Sequence, residues 1–379
     1  MSAPLKGLKV LDFSTLLPGP FATLYLADLG AEVVHIESPT RLDLVRLMPP
    51  YANGQAVAHS YLNRNKQSIA LDLKDPNSIA LLYQKILEVD IVVEQFRPGV
   101  MQRLGLDYAT LAQINPKLIY CSITGYGQTG LYKDKAGHDI NYLALSGIAG
   151  YSGRQQSGPP PLGIQVADVA GGSMHAVMGI LAAVIERYQS GIGQYIDISM
   201  TDCAVALNNM AAASSLAGGE HAEAEQTHLN GATFYDYYPT QDGRYFAVGS
   251  LEPQFMLALG QALDLPLLLQ KGASFDQADR AEVKQALRDK FASEPFAVWQ
   301  ALFQNLDVCV EPVLSLQEAL NSPLAAARNW VVNVPLNAEA VETEPQLACP
   351  IKFSRSQASY QYIGQALGAG TWFKSTADD

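Results

Sequence analysis

Short apolar runs alternate with helix-period segments from the start of the chain. Residues 8–13 (Leu-Lys-Val-Leu-Asp-Phe) read as a strand, which Pro18-Gly19-Pro20 interrupts. Residues 21–29 follow as a helix, with Pro20 near its first turn and Gly30 just past its end, the positions these two residues favour. Residues 32–37 (Glu-Val-Val-His-Ile-Glu) return as a strand. Strand, short helix and strand make a βαβ unit, which predicts a parallel sheet. The alternation continues with a strand over 68–73, a helix over 77–88 opened by Asp75-Pro76, a strand over 90–96, helical pieces to about 114 and a strand over 118–124. The last two strands are nearly continuous apolar runs, as expected where a sheet is covered on both faces. Residues 1–200 are therefore expected as an open, Rossmann-like, doubly wound α/β domain.

The pattern then changes. Residues 158–161 form a loop, and 169–187 read as a long helix rich in Ala, Gly and Met. Residues 201–229 are read as a connector, polar and Ala/Gly-rich from 211 onward. Strands reappear at 234–238 and 245–249, and helices fill 253 to about 305, so 230–325 is predicted as a smaller α+β domain. The tail has Pro335, Pro345 and Pro350 and little periodicity. Residues 326–379 are expected to return to the large domain and complete it.

Composition narrows the function. Hydrophobic residues make up 48% and charged residues only 16%, below the usual share of about 25%. A long chain with so little charge is expected to hide surface in an oligomer. The net charge of −12 disfavours nucleic acid and anionic membranes as partners. The four cysteines, at 121, 203, 309 and 349, lack CxxC or CxxH spacing, so neither a disulfide framework nor a zinc site is expected. A reducing, cytoplasmic setting follows, with no signal peptide and no membrane span.

The usual motifs of the fold are missing. The first βα turn, Ser14-Thr-Leu-Leu-Pro-Gly-Pro-Phe21, is not GxGxxG, and its prolines remove donors that a pyrophosphate would need. No GxxxxGK[ST] or GxSxG occurs, which argues against P-loop and serine-hydrolase chemistry. His35, in a strand, and His175, in a helix, default to core or surface roles. His138 stands apart. It follows the glycine-rich stretch Gly125-Tyr-Gly-Gln-Thr-Gly130 and opens His138-Asp139-Ile-Asn-Tyr142, where a strand has ended and a helix begins near Asp139. Ligands bind at that edge of a parallel sheet, and helix N-termini offer free N–H groups. Asp168, in Gln165-Val-Ala-Asp-Val-Ala-Gly-Gly172, precedes the long helix, and Glu252 precedes Pro253 at another helix start. By residue type alone, capping is the commoner role for His138, Asp139 and Asp168, and Glu252 reads as a first-turn acid.

Taken together, several segments resemble the family III CoA-transferases (CaiB/BaiF type) and, within them, the α-methylacyl-CoA racemases. They are Gly7-Leu-Lys-Val-Leu, Pro18-Gly-Pro, Ala27-Asp-Leu-Gly-Ala-Glu-Val-Val34, Leu71-Asp-Leu-Lys74, Phe96-Arg-Pro-Gly-Val100, Gly125-Tyr-Gly-Gln-Thr-Gly130 and Ala136-Gly-His-Asp-Ile-Asn-Tyr142. The resemblance spans essentially the whole chain. It implies an interlocked homodimer and an acyl-CoA substrate, whose CoA portion meets Ala70, Leu71, Asp72, Leu73, Lys74, Arg97, Arg103 and Gly137. It makes Asp168 either the covalent nucleophile of a CoA-transferase or one of two acid/bases of a racemase, His138 being the other. His138 itself, the run Asn230-Gly-Ala-Thr-Phe-Tyr-Asp-Tyr-Tyr and Gly249-Ser-Leu-Glu-Pro-Gln-Phe255 resemble the racemase branch, where the glutamate pairs with the histidine. Ser38 departs from the pattern, which has an arginine there.

The chemistry suits those residues. Racemisation next to a thioester needs a base on one face of the α-carbon, an acid on the other and donors for the enolate oxygen. His138 and Asp168 fit the pair, the backbone N–H of Asp139 fits the donor, and Glu252 would hold the imidazole in one tautomer. Neither a metal nor a redox cofactor is required. CoA enters only as part of the substrate.

Overall fold

A computed structural model of the chain describes residues 3–219 and 221–373. They fall into two compact units. The first holds the described residues of Met1–Ser146, Leu162–Leu207 and Pro323–Asp379. Six of its strands, β1 (Lys9–Asp12), β2 (Glu32–Glu37), β3 (Lys66–Ala70), β4 (Ile91–Glu94), β5 (Ile119–Thr124) and β6 (Tyr195–Ser199), make its central sheet. They form one sheet in the order β3-β2-β1-β4-β5-β6, and every pairing is parallel. The order reverses direction between β1 and β4, which is the topological switch point of a doubly wound sheet. All residues of β4 and β5 are buried, as their apolar runs predict. Leu82, Ile86, Leu106 and Leu111 pack with Leu11, Val34 and Val92 of the sheet.

The second unit, Gly147–Pro161 with Asn208–Ser322, is built on an antiparallel sheet of β7 (Asp236–Pro239), β8 (Tyr245–Val248) and β9 (Val310–Pro312), in the order β9-β8-β7. Its core is aromatic: Tyr238, Phe246, Phe291, Phe296, Trp299 and Phe303 are buried together. Lys284 is buried in this unit, 3.2 Å from Asp236.

Several expected boundaries move. Residues 147–161, expected in the large domain, belong with the second unit, because the Arg154 guanidinium donates to Asp236 at 2.8 and 2.5 Å and to Glu225 at 3.0 Å. The expected connector 201–229 carries the helices Met200–Leu207 and Asn209–Leu216. The strand expected over 68–73 is β3, which ends at Ala70. There Asp72 turns the chain by accepting the Lys74 N–H at 3.0 Å, while its carbonyl takes the Asp75 N–H. The helix expected over 169–187 begins at Ala167 with a π-helical stretch to Met174 and continues as α-helix from His175 to Ser190. By length and composition it is apolar enough to cross a membrane. Ala176, Ile180, Ala183 and Val184 are nonetheless buried in the unit.

The tail is more ordered than its pattern suggests. It forms a hairpin of β10 (Val331–Pro335) and β11 (Thr343–Leu347) and then runs along β3, where the Gly370 N–H reaches the Ser68 carbonyl at 2.8 Å. Arg64 anchors it. Only 1% exposed, its guanidinium donates to both Asp28 oxygens at 2.9 and 2.5 Å and to the Leu347 carbonyl at 2.6 Å. Removing one partner of a buried ion pair leaves a charge without compensation. Arg64→Ala is therefore expected to lower stability by about 3–5 kcal/mol, read from the shift of the urea unfolding midpoint. A loss within experimental error would show that the pair holds nothing together.

Candidate active site

β5 ends at Thr124, and the following loop returns to the carboxyl edge of the sheet. Its path is pinned at both ends. The Gly125 carbonyl accepts from the Thr201 hydroxyl at 2.6 Å, and the Gly137 carbonyl accepts from the Tyr142 hydroxyl at 2.6 Å. The Tyr142 ring lies so close that a Cβ on Gly125 or Gly137 would approach it to 2.5 or 2.6 Å. Glycine at both positions lets the loop lie flat against this tyrosine.

The helix Asp139–Leu145 starts where the sequence predicts. His138 is its N-cap, with extended backbone, and its N–H donates to the Asn141 side chain at 3.0 Å. The His138 side chain is exposed. Asp139 is the first helical residue, so no carbonyl one turn back in the helix receives its N–H. Its carboxylate accepts the backbone N–H of Asp168 at 3.0 Å. This bond brings the two chain segments together, since His138 is the peptide neighbour of Asp139.

Asp168 is not a helix cap, as residue type alone suggested. It is the second residue of the π-helical stretch Ala167–Met174. Such stretches gather at functional sites because the wider turn redirects one side chain. The neighbouring glycines allow close packing: a Cβ on Gly172 would lie 3.1 Å from Met200 and 3.2 Å from Pro18. Burial, and then the nearby charge of Asp139, raise the Asp168 carboxyl to about 7. Burial pushes the Tyr142 hydroxyl well above its usual range, with Asp168 adding to the effect and Arg97 opposing it.

Of the other expected residues, Gly137 belongs to this cluster and the Arg97 charge acts on Tyr142. Arg97 follows β4 and is exposed, as is Arg103 in the short helix Val100–Leu104. Ala70 ends β3, Leu71 and Leu73 pack against the core, and Asp72 and Lys74 are exposed. β3 lies four strands from β5, about 19 Å across the sheet. Residues 70–74 thus reach the same edge at its far end. Ser38 closes a turn by accepting the Arg41 N–H at 3.0 Å. Glu252 caps the helix Pro253–Ala262 of the second unit, and its side chain makes no bond to that helix. Among the described residues no group of three His, Cys, Asp or Glu side chains is arranged to hold a metal.

Among the buried acids, Asp12 and Glu94 stand inside the apolar strands β1 and β4 and had no role in the sequence reading. Glu94, 3% exposed, lines a cavity of about 440 Å³ with Arg97, Tyr120, Ser122, Lys133 and Tyr195. Burial raises its carboxyl to about 7 against its hydrogen bonds from Ser122 and the Phe96 N–H. Asp12 is fully buried. Burial opposes its charge, but Lys66 and His35 outweigh that and hold it well below the usual range. The available signal was one acid inside each apolar strand.

A parallel sheet of this order, with His138, Asp139 and Asp168 brought together at its carboxyl edge, places the chain among the doubly wound α/β proteins. The chain belongs to CoA-transferase family III, whose model matches residues 5–369. It is 40% identical over 319 residues to an α-methylacyl-CoA racemase of Mus musculus, covering 84% of this chain and 79% of the relative. It is 34% identical over 325 residues to a succinyl-CoA:glutarate CoA-transferase of Homo sapiens, covering 84% and 74%. The crystal structure of a CAIB/BAIF family protein from Brucella suis superposes with a TM-score of 0.84 at 30% identity, covering 97% of both chains.

The raised Asp168 carboxyl has a consequence for stability. The native state holds that proton up to about 7, whereas an unfolded aspartate releases it near 3.9. The native state therefore loses stability as pH rises between those values. Asp168→Asn carries no charge and escapes that loss. In thermal melts the variant should exceed wild type at pH 8, with the gap narrowing toward pH 4.5. A gap that does not change with pH would show that Asp168 titrates normally.

Proposed function

We propose that the protein is an α-methylacyl-CoA racemase, interconverting the (R)- and (S)-2-methylacyl-CoA thioesters by 1,1-proton transfer between His138 and Asp168. One observation carries this reading: Asp139, the neighbour of His138, holds the Asp168 N–H at 3.0 Å, and burial with the Asp139 charge raises the Asp168 carboxyl to about 7, the range in which a group can act as base and as acid. One residue takes the α-proton and the other delivers a proton to the opposite face of the enolate. The Asp139 N–H would donate to the thioester oxygen, and Glu252 would orient the imidazole. Lys74, Arg97 and Arg103 would meet CoA phosphates, with Ala70, Leu71, Asp72, Leu73 and Gly137 against the rest of that moiety. Proton transfer of this kind needs no metal or redox cofactor. The 40% identity to the Mus musculus racemase supports the reading.

The second reading, a CoA-transferase with Asp168 as nucleophile, is supported by the 34% identity to the transferase of Homo sapiens. It requires a covalent acyl-enzyme that hydroxylamine would trap, and the racemase forms none.

An interlocked homodimer accords with the exposed apolar side chains Met178, Ile185 and Tyr188 on one helix, which are 56%, 63% and 78% exposed. Four free cysteines fit a cytoplasmic location.

Exchange of the α-hydrogen in heavy water, followed by NMR from each pure enantiomer, tests the mechanism. His138→Ala should suppress exchange from one enantiomer and Asp168→Ala from the other, each by about 10²–10⁴-fold or more. Glu252→Gln should slow both without abolishing either. Near-wild-type exchange in His138→Ala would end the racemase reading. Sedimentation at micromolar concentration should give twice the mass of one chain, and a monomer would exclude the dimer.

A further inference from the structure

We propose that Asp139 is a positioning residue for Asp168: its carboxylate pins the Asp168 backbone and, as a negative charge held beside a buried carboxyl, adds to burial in favouring the protonated Asp168 side chain. The proposal deepens the racemase reading and rests on it for its kinetic half.

The geometry is local and one-sided. Asp139 accepts the Asp168 N–H at 3.0 Å across 29 residues of sequence. That bond fixes the start of the π-helical stretch against the helix Asp139–Leu145. Of the titratable groups on the other elements packed on 167–174, several have partners of their own, and Tyr142 of the helix Asp139–Leu145 donates to the Gly137 carbonyl and feels the Asp168 charge. From the helix Pro18–Asp28, Asp28 is held by Arg64 and Asn65. His175 bonds the Ala170 carbonyl at 2.8 Å. Asp197 of β6 accepts the Gln128 N–H at 2.9 Å. Tyr25, Asp202 and Cys203 add no opposite charge. Apart from burial, the charge that acts on Asp168 is that of Asp139.

The reaction needs such a device. With Asp168 ionised and His138 protonated, Asp168 takes the α-proton and His138 gives one to the opposite face. The enzyme is left with protonated Asp168 and neutral His138, which is the form that runs the reverse direction. Free aspartate and histidine titrate near 3.9 and 6.5, so an unperturbed pair would favour the first form by about 400-fold. Burial and a neighbouring negative charge both push the aspartate toward the histidine. Burial and the Asp139 charge together bring the two forms closer in energy. Its backbone N–H and its carboxylate would serve different partners from one position.

Carbon-13 labelling of aspartate carboxyls in the full chain, without substrate, measures the effect. The Asp168 signal is the one lost in Asp168→Asn. Its midpoint should lie near 7 in wild type and fall by on the order of one pH unit in Asp139→Asn, which keeps an oxygen acceptor for the Asp168 N–H. Asp139→Ser should lower it likewise, and Asp139→Glu, which keeps the charge, should hold it up. Asp139→Ser and Asp139→Glu also decide the matter should Asp139→Asn not fold. In α-hydrogen exchange, the limb of the pH profile set by Asp168 should move toward acid by the same amount in Asp139→Asn. An unmoved Asp168 signal in the neutral variants, or a wild-type midpoint near 4, overturns the proposal. A shifted signal in a protein that exchanges no α-hydrogen upholds the placement of Asp139 and overturns the racemase reading instead.

Discussion

Asp12 ends β1 with its carboxylate out of reach of water, and the first unit is organised around keeping that charge satisfied. One of its oxygens accepts from the Ser14 N–H at 2.9 Å and from the Ser14 hydroxyl, and the other from Thr23 and from Lys66 at 3.4 Å. Lys66, also buried, spends its remaining donors on the Pro20 carbonyl at 2.9 Å and the Asn63 side chain at 3.1 Å. A buried charge is tolerated only when paired and hydrogen-bonded. This pair therefore fixes the register of β1, β3 and the helix Pro18–Asp28 together. It also explains how a Rossmann-like sheet manages without a glycine fingerprint. The Gly19 N–H is taken by Gln95 at 2.9 Å and the Leu16 N–H by Asp43 at 3.1 Å. The chain's own side chains occupy donors that a bound pyrophosphate would use in a dinucleotide enzyme.

With the first turn closed, the open chemistry moves to the other half of the sheet. Parallel strands all end on one side, so the loops after β3, β4 and β5 reach the same edge. The loop after β5 carries His138 and Asp139, and Asp139 captures the start of the long helix through the Asp168 N–H. Ser173 ties the same helix to the Pro18 carbonyl at 2.7 Å. Ser173 also reaches the Asp168 carbonyl at 3.2 Å, so the helix that carries Thr23 of the buried charge network and the loop that carries Asp139 both hold the start of this element. Both ties fall within the π-helical stretch Ala167–Met174.

Much of this was readable in the residues. Periodicity and turn chemistry marked β1, β2, β4 and β5 to within two residues, since buried parallel strands leave a continuous apolar signal. The start of the helix at Asp139 was legible because a glycine-rich loop ended in a residue that can cap. The end of β3 was misplaced because Leu71 and Leu73 continue an apolar alternation. Packing against the core, which needs no strand, explains their pattern equally well. The tail was obscure for a related reason. Its order comes from Arg64, Asn65 and Ser68, about 300 residues earlier, and no local pattern reports such partners.

The amino-acid sequence by itself determined the fold class, the family, and the candidacy of His138 and Asp168, each near glycines at an expected helix start. Each of these rests on local pattern or on motifs read along the chain. Only the tertiary structure decided that Asp168 lies within a π-helical stretch, that Asp139 touches it, and that burial raises its proton affinity. Desolvation and like-charge repulsion depend on what surrounds a carboxyl in space, and here the decisive neighbour is 29 residues away. The tertiary structure likewise showed Asp12 and Glu94 to be buried acids with opposite shifts. Asp12 found a lysine there, and Glu94 found only hydroxyl and amide donors.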